Sequence, residues 1–247
     1  LAKVPSLSVT QSAAQTVLRS FLTTLLPNAD VIEAQNNRVP EPANVNFIVM
    51  TAIRRDRIET NTDSYVDVLF TGSIANTVLT ASSFNFGSLS NGNPVFGINV
   101  APTTSIVGQL SGPVGGPGTY TVTPSQNVAS ELLASGTQSL LSPTELTYQL
   151  DVHSNTVDTA ATMAQIITTA FRDSYAFDFF TAQNPNVVPL YADEAKQIGF
   201  ISGEDQWETR WIIEAHLQVN AALINLPQQF AGALSVGLVD VNATYPP

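Results

Sequence analysis

In the stretch RWIIEAHLQVN (Arg210–Asn220), Trp211, Ile213, Ala215, Leu217 and Val219 alternate with Arg210, Glu214, His216, Gln218 and Asn220. A period of two marks a strand with one buried face, and this is the clearest strand in the chain. Upstream, Leu146, Tyr148, Leu150 and Val152 alternate with Thr147, Gln149 and Asp151 in the same way. Nearer the start, Val45, Phe47 and Val49 open a run that continues through Met50 to Ile58. Glu59–Asp63 (ETNTD) reads as a turn and Tyr65–Phe70 as the returning strand, which predicts a long hairpin over Val45–Phe70. A hairpin centred on Asn61 sets Arg55 opposite Asp67. A last strand is expected at about Leu234–Val241, after a connection at Pro227–Phe230.

Two helices accompany these strands. Residues 8–26 carry a broad apolar stripe of Ala14, Val17, Leu18, Phe21, Leu22 and Leu25. Ser8 with Gln11 suits a capping box at its start, and Pro27-Asn28 stops it. Residues 28–44 read as an irregular connection. A second helix begins at Asn155 or Thr156 and runs to about Asp173, with Ala160, Ala164, Ile167 and Phe171 on one face and Arg172 at the carboxyl end of the dipole. The order α-β-β-β-α-β-β predicts an α+β fold: a largely antiparallel sheet with two helices packed on one face. The other sheet face is polar and meets either water or another subunit.

Residues 71–130 interrupt this pattern. They contain no Asp, Glu, Lys or Arg, yet hold nine of the fourteen Gly residues. Short alternating stretches rich in Thr, Ser, Asn, Val and Ile (74–79, 95–100, 104–110, 119–123) are too β-branched for a linker. The expectation is a small all-β module, residues 71–142, inserted into a discontinuous domain formed by residues 1–70 and 143–247. On this reading, deleting residues 73–140 leaves assembly of the remainder intact.

Composition narrows the function. The chain has 247 residues, a formal net charge of -11, no Cys and two His, with 44% apolar content. Acidity argues against tight binding to nucleic acid or an anionic membrane. Missing Cys excludes disulfides and thiolate chemistry. No apolar run approaches the ~18–20 residues that span a bilayer, and no signal peptide is visible at Leu1-Ala2-Lys3-Val4-Pro5. A soluble, processed chain is therefore expected.

Catalytic patterns are missing. His153 and His216 lie on the polar sides of their strands, near Asp151 and Glu214, and approach each other only if those strands are neighbours. In GQLSG (Gly108–Gly112) the Ser is misplaced for a nucleophile elbow. Asp193-Glu194 and Glu204-Asp205 read as solvated acidic turns, not calcium loops. GPVGGPG (Gly112–Gly118) lacks the Lys and following helix of a phosphate loop and reads as a turn. Asn242-Ala243-Thr244 is a formal glycosylation sequon. No catalytic residue, metal or cofactor is expected. Candidate interface residues are Arg54, Arg55 and Arg57, the single basic cluster, together with Tyr191, Trp207 and Trp211.

FRDSYAFDFF (Phe171–Phe180), VPLYADEAKQIGFISGEDQWETRW (Val188–Trp211) and PQQFAGAL (Pro227–Leu234) resemble the neck or tail-terminator family of tailed bacteriophages. The resemblance covers about residues 8–70 and 143–247. The insert, with FTGSI (Phe70–Ile74) and GTYTVTPSQNVAS (Gly118–Ser130), resembles a β-module recurring in phage virion proteins. The resemblance implies a non-enzymatic virion protein, assembled in the host cytoplasm. It forms a ring, usually six-fold, that caps the tail tube and docks the head connector while genomic DNA passes through without tight binding. Its partners are then copies of itself, tail tube and sheath proteins, and the connector, with no membrane. Two alternatives are another neck, sheath or connector role, and binding of host-surface glycans by the insert through Phe84, Phe86, Phe96 and Tyr120.

Overall fold

The computed structural model describes residues 3–34, 42, 44–201 and 207–227. In chain order the elements are β1 (Ser6–Leu7), α1 (Gln11–Leu25), β2 (Asp30–Glu33), β3 (Phe47–Arg57), β4 (Thr62–Phe86), β5 (Val95–Phe96) and β6 (Ser105–Ser111). They continue with β7 (Gly118–Ser154), α2 (Val157–Phe171), α3 (Ser174–Gln183), β8 (Val187–Ala192), β9 (Lys196–Gln197), β10 (Phe200–Ile201) and β11 (Trp207–Pro227). The chain divides into two units, residues 1–6, 63–139 and 224–247 in the first, 7–62 and 140–223 in the second.

The expected α+β class is overturned. The described residues are 56% strand and 19% helix, and the sheet is mixed, so the protein is mainly β. The strand share comes from the long strands β4, β7 and β11, of 25, 37 and 21 residues, and the mixed character from β2. Residues 30–33, read as irregular connection, form β2, which runs parallel to β3 with Asp30 opposite Phe47 and Glu33 opposite Met50. The hairpin over Val45–Phe70 does not pair as expected either: β3 lies antiparallel to β7, with Ile48 opposite Val152 and Met50 opposite Leu150. Arg55 therefore faces Leu146, not Asp67. The match of apolar residues on β3 and β7 outweighs the nearness in sequence of Tyr65–Phe70.

In the second unit the order along the sheet is β1-β11-β7-β3-β2, with β8, β9 and β10 pairing to β11. Leu146, Tyr148, Leu150 and Val152 of β7 and Ile213, Ala215, Leu217 and Val219 of β11 all turn into one core with α1, α2 and α3. Phe21 is its centre, completely buried, with rings of Phe171, Tyr175, Phe179 and Phe180 at 5.4–6.0 Å. Burial pushes the Tyr148 phenol up to about 12.

The caps follow side-chain chemistry. Thr10, not Ser8, caps α1, accepting from the Ala13 amide at 3.2 Å, while Ser8 exchanges two bonds with Ala222 of β11. Thr156 caps α2 and Asp173 caps α3. Sequence pattern does not announce α3, because SYAFDFF is built from aromatics with modest helix propensity.

The first unit has only strands among its described residues and its own core of Val68, Phe70, Ile74, Leu79, Ile106, Tyr120, Val122 and Leu133. β4 folds back on itself at Asn76, whose φ of 57° reverses the chain. Ser82 then donates to the Thr71 carbonyl at 3.0 Å, and Phe70 stacks on Phe84 at 5.4 Å. Gly112–Gly118 joins β6 to β7, and Gly112 takes a φ of 93° there. The strand expected at 234–241, Glu204-Asp205 and the sequon at Asn242 lie outside the described residues.

Candidate functional site

Alternation on β3, β7 and β11 that buries one face of the second unit's sheet gives the opposite face a polar surface. On it, Asp151 of β7 is almost buried and accepts from Arg210 of β11 twice, at 2.9 and 2.7 Å, and from the Gln149 amide at 2.9 Å. Beyond them His153 stacks flat on Phe47, centroids 4.5 Å apart. Burial lowers the His153 imidazole from its ordinary value, Asp151 opposes that, and Arg210 adds to it.

A second cluster forms around His216. Its Nδ1 lies 2.6 Å from Glu145 Oε1 of β7, and Tyr191 of β8 stacks on its ring at 4.2 Å with 15° between the planes. Asp193 comes alongside because its amide donates to the Glu214 carbonyl at 2.8 Å. Arg172, at the carboxyl end of α2, holds the same turn. It donates to the Ala192 carbonyl at 2.9 and 2.6 Å and to Glu194 at 2.7 Å. Desolvation and the carboxylates of Glu145, Asp193 and Glu214 raise the Tyr191 phenol, with Arg54 acting against them.

The two imidazoles do not meet. His216 touches Thr147 Oγ1 at 3.4 Å, six residues along β7 from His153, a span of about 20 Å at the usual strand rise.

The six candidate interface residues are scattered by the same alternation. Arg54 is exposed, pairs with Asp56 and acts on Tyr191 on the polar face. Arg55 turns to the helix side, donating to Gln11 of α1 at 3.1 Å. Arg57 closes the following turn through the Glu59 carbonyl and Asn61. Tyr191 keeps 43% exposure beside His216. Trp211 packs against the core, and its Nε1 is buried without a hydrogen bond. Trp207 lies on β11, and its side chain is outside the described residues.

Sequence reasoning placed Asp193 in a solvated acidic turn and missed its company. The available signal was Glu214 and His216 two residues apart on one strand, which must share a face; that Asp193 and Glu145 join them depends on strand register. Among the insert aromatics, Tyr120 and Phe84 belong to the first unit's core, while Phe86 is exposed. A shallow groove of about 580 Å³ follows α2 to α3 between Ile166 and Tyr175. Among the described residues, no helix is long and apolar enough to cross a membrane.

What decides the identity is the match of the family described as phage neck terminator protein to residues 106–243, more than half of the chain. The chain belongs to that family. It is accordingly a structural protein of the phage neck and a component of the virion, associated with other head and tail proteins. The family is of a structural kind, generally without enzymatic activity.

The match begins at Ile106, so it takes in β6 and all of β7 and leaves out α1, β2 and β3. The family pattern thus runs through both units of this neck protein, further than the residues outside 71–142. No curated protein matches the chain. Among solved structures, a non-toxic crystal protein from Bacillus thuringiensis aligns at 10% identity and a TM-score of 0.09, over 78% of this chain and 81% of that one. A likeness that low carries no argument.

Proposed function

We propose that this neck protein closes into a ring, six copies around the tail axis, at the head-proximal end of the tail. The ring caps the tail tube, ends its growth and presents a surface to the head connector. Membership of the terminator family carries this reading. The physical features agree with it. A heterologous contact closes into a ring when its rotation divides the circle, and the polar face around Arg54 and Tyr191 offers unlike charges for such a contact. At the edge of the sheet path, β2 is four residues long and bracketed by Asp30 and Glu33. Charge and shortness of that kind suppress open-ended strand addition. A net charge of -11 suits a conduit along which DNA slides, since like charge prevents adhesion. Residues 71–142 form, on this reading, an inserted module that the ring does not need.

The test is the mass of the purified protein alone and on isolated tail tubes, by native mass spectrometry, beside electron microscopy of particles made without it. Ring formation on tubes, and overlong or unjoined tails in its absence, are expected. Normal tails lacking the protein, or single off-axis copies in virion density, would refute the assignment. A chain with residues 73–140 replaced by a short bridge should still bind tubes; loss of binding would make the insert structural.

A further inference from the structure

His216 stands out among the buried polar residues. The residue is only 8% exposed, and its Nε2 is buried with no hydrogen bond. The other ring nitrogen, Nδ1, lies 2.6 Å from Glu145 Oε1. An ionised carboxylate only accepts, so Glu145 assigns the proton to Nδ1 and leaves Nε2 with its lone pair. Two more acceptors lie nearby. Asp193 Oδ2 lies 3.9 Å from Nε2, and one donor atom from each of Asp193, Glu214 and His216 lies within 4.8 Å of the others. Three acceptors this close together cannot hydrogen-bond among themselves.

We infer that Asp193, Glu214 and His216 bind a divalent transition-metal cation of the zinc class. Zinc and its neighbours accept one imidazole nitrogen and two carboxylate oxygens, whereas magnesium and calcium favour all-oxygen sites. Donor atoms about 2.1 Å from a tetrahedral ion stand about 3.4 Å apart, so the Nε2–Oδ2 gap closes by a fraction of an ångström. Glu145 is the outer carboxylate that orients a metal-bound imidazole through its far nitrogen. Tyr191, stacked at 15°, holds the ring plane. The Asp193 amide bonded to Glu214 and the Arg172 contacts to Ala192 and Glu194 fix the approach of the second strand. The Asp193 side chain is 46% exposed, which provides an entry path and a coordination position for water. The ion ties β8 to β11 and neutralises the converging carboxylates.

The experiment uses the full-length protein stripped with EDTA and titrated with Zn²⁺ by calorimetry and with Co²⁺ by visible absorption. One equivalent should bind, with the intense 500–650 nm bands of four-coordinate cobalt, and excess Mg²⁺ should not compete. Asp193→Asn, at a partly exposed position that leaves folding intact by circular dichroism, should weaken binding at least tenfold. Glu145→Gln should weaken it by about 10–100-fold. His216→Gln should abolish it. Failure to bind at millimolar Zn²⁺ overturns the inference. Binding unchanged in both Asp193→Asn and Glu145→Gln overturns it equally, since the ion then sits elsewhere.

Discussion

Replacing Arg210 by Met tests whether the polar sheet face of the second unit is held as a buried ionic lattice. The Asp151 side chain is 9% exposed and Arg210 24%, and the guanidinium gives two of the hydrogen bonds to Asp151 Oδ1. Without it, the carboxylate keeps only the Gln149 amide, at 2.9 and 3.0 Å. Removing one member of a buried pair costs about 3–5 kcal/mol, because a charge is left uncompensated. Residual exposure of Arg210 lets some water reach the carboxylate, so the lower end, about 3 kcal/mol, is expected. Deleting both charges, as Arg210→Met with Asp151→Leu, should recover most of the loss and leave the protein within about 1 kcal/mol of the wild type. Both tryptophans of the chain fall within the second unit, so their fluorescence during urea denaturation reads this unit. A single variant within ~1 kcal/mol of wild type, or a double variant as weak as the single, would refute the reasoning: the pair would then behave as an exposed ion pair.

Phe21→Ala removes the ring on which four other aromatics converge, and should cost about 3–5 kcal/mol in the same denaturation assay; a loss under ~1 kcal/mol would mean the cluster collapses into the gap. His153 carries a pH dependence of definite sign. Burial lowers its folded value below 6.5, so the unfolded chain binds the proton more tightly, and stability present above pH 6.5 is lost as pH falls from there through the folded value. His153→Gln should flatten the stability profile below pH 6.5, and an unchanged slope would place that titration elsewhere.

The sheet strands were legible where one face is apolar over several residues. Leu146–Val152 and Trp211–Val219 each show the period of two that burial on one side demands, and a cap at Asn155 or Thr156 with the stripe Ala160, Ala164, Ile167 and Phe171 marks α2, which ends at Phe171, two residues before the expected Asp173. Shorter or less patterned elements were not. β2 is four residues long, too few to display a period. In α3 the aromatics Tyr175, Phe177, Phe179 and Phe180 supply packing area that compensates for modest propensity, an effect visible only once Phe21 is opposite them. Partner choice between strands is hidden from the sequence for the same reason: ETNTD is a good turn, yet turn chemistry is local, and Ile48 and Met50 find their apolar match on β7.

The sequence by itself determined the apolar faces of the strands around Leu150 and Leu217, the positions of α1 and α2, the charge of -11 and, through its motifs, the virion family. These follow from periodicity, composition and side-chain chemistry, which are local properties of the chain. Only the tertiary structure decided that the sheet is mixed, that Arg54 and Arg55 part to opposite faces, and that Glu145, Asp193, Glu214 and His216 meet. Register is the physical reason. A shift of one residue between β8 and β11 exchanges the faces of every side chain, and no stretch of either strand read alone contains that alignment.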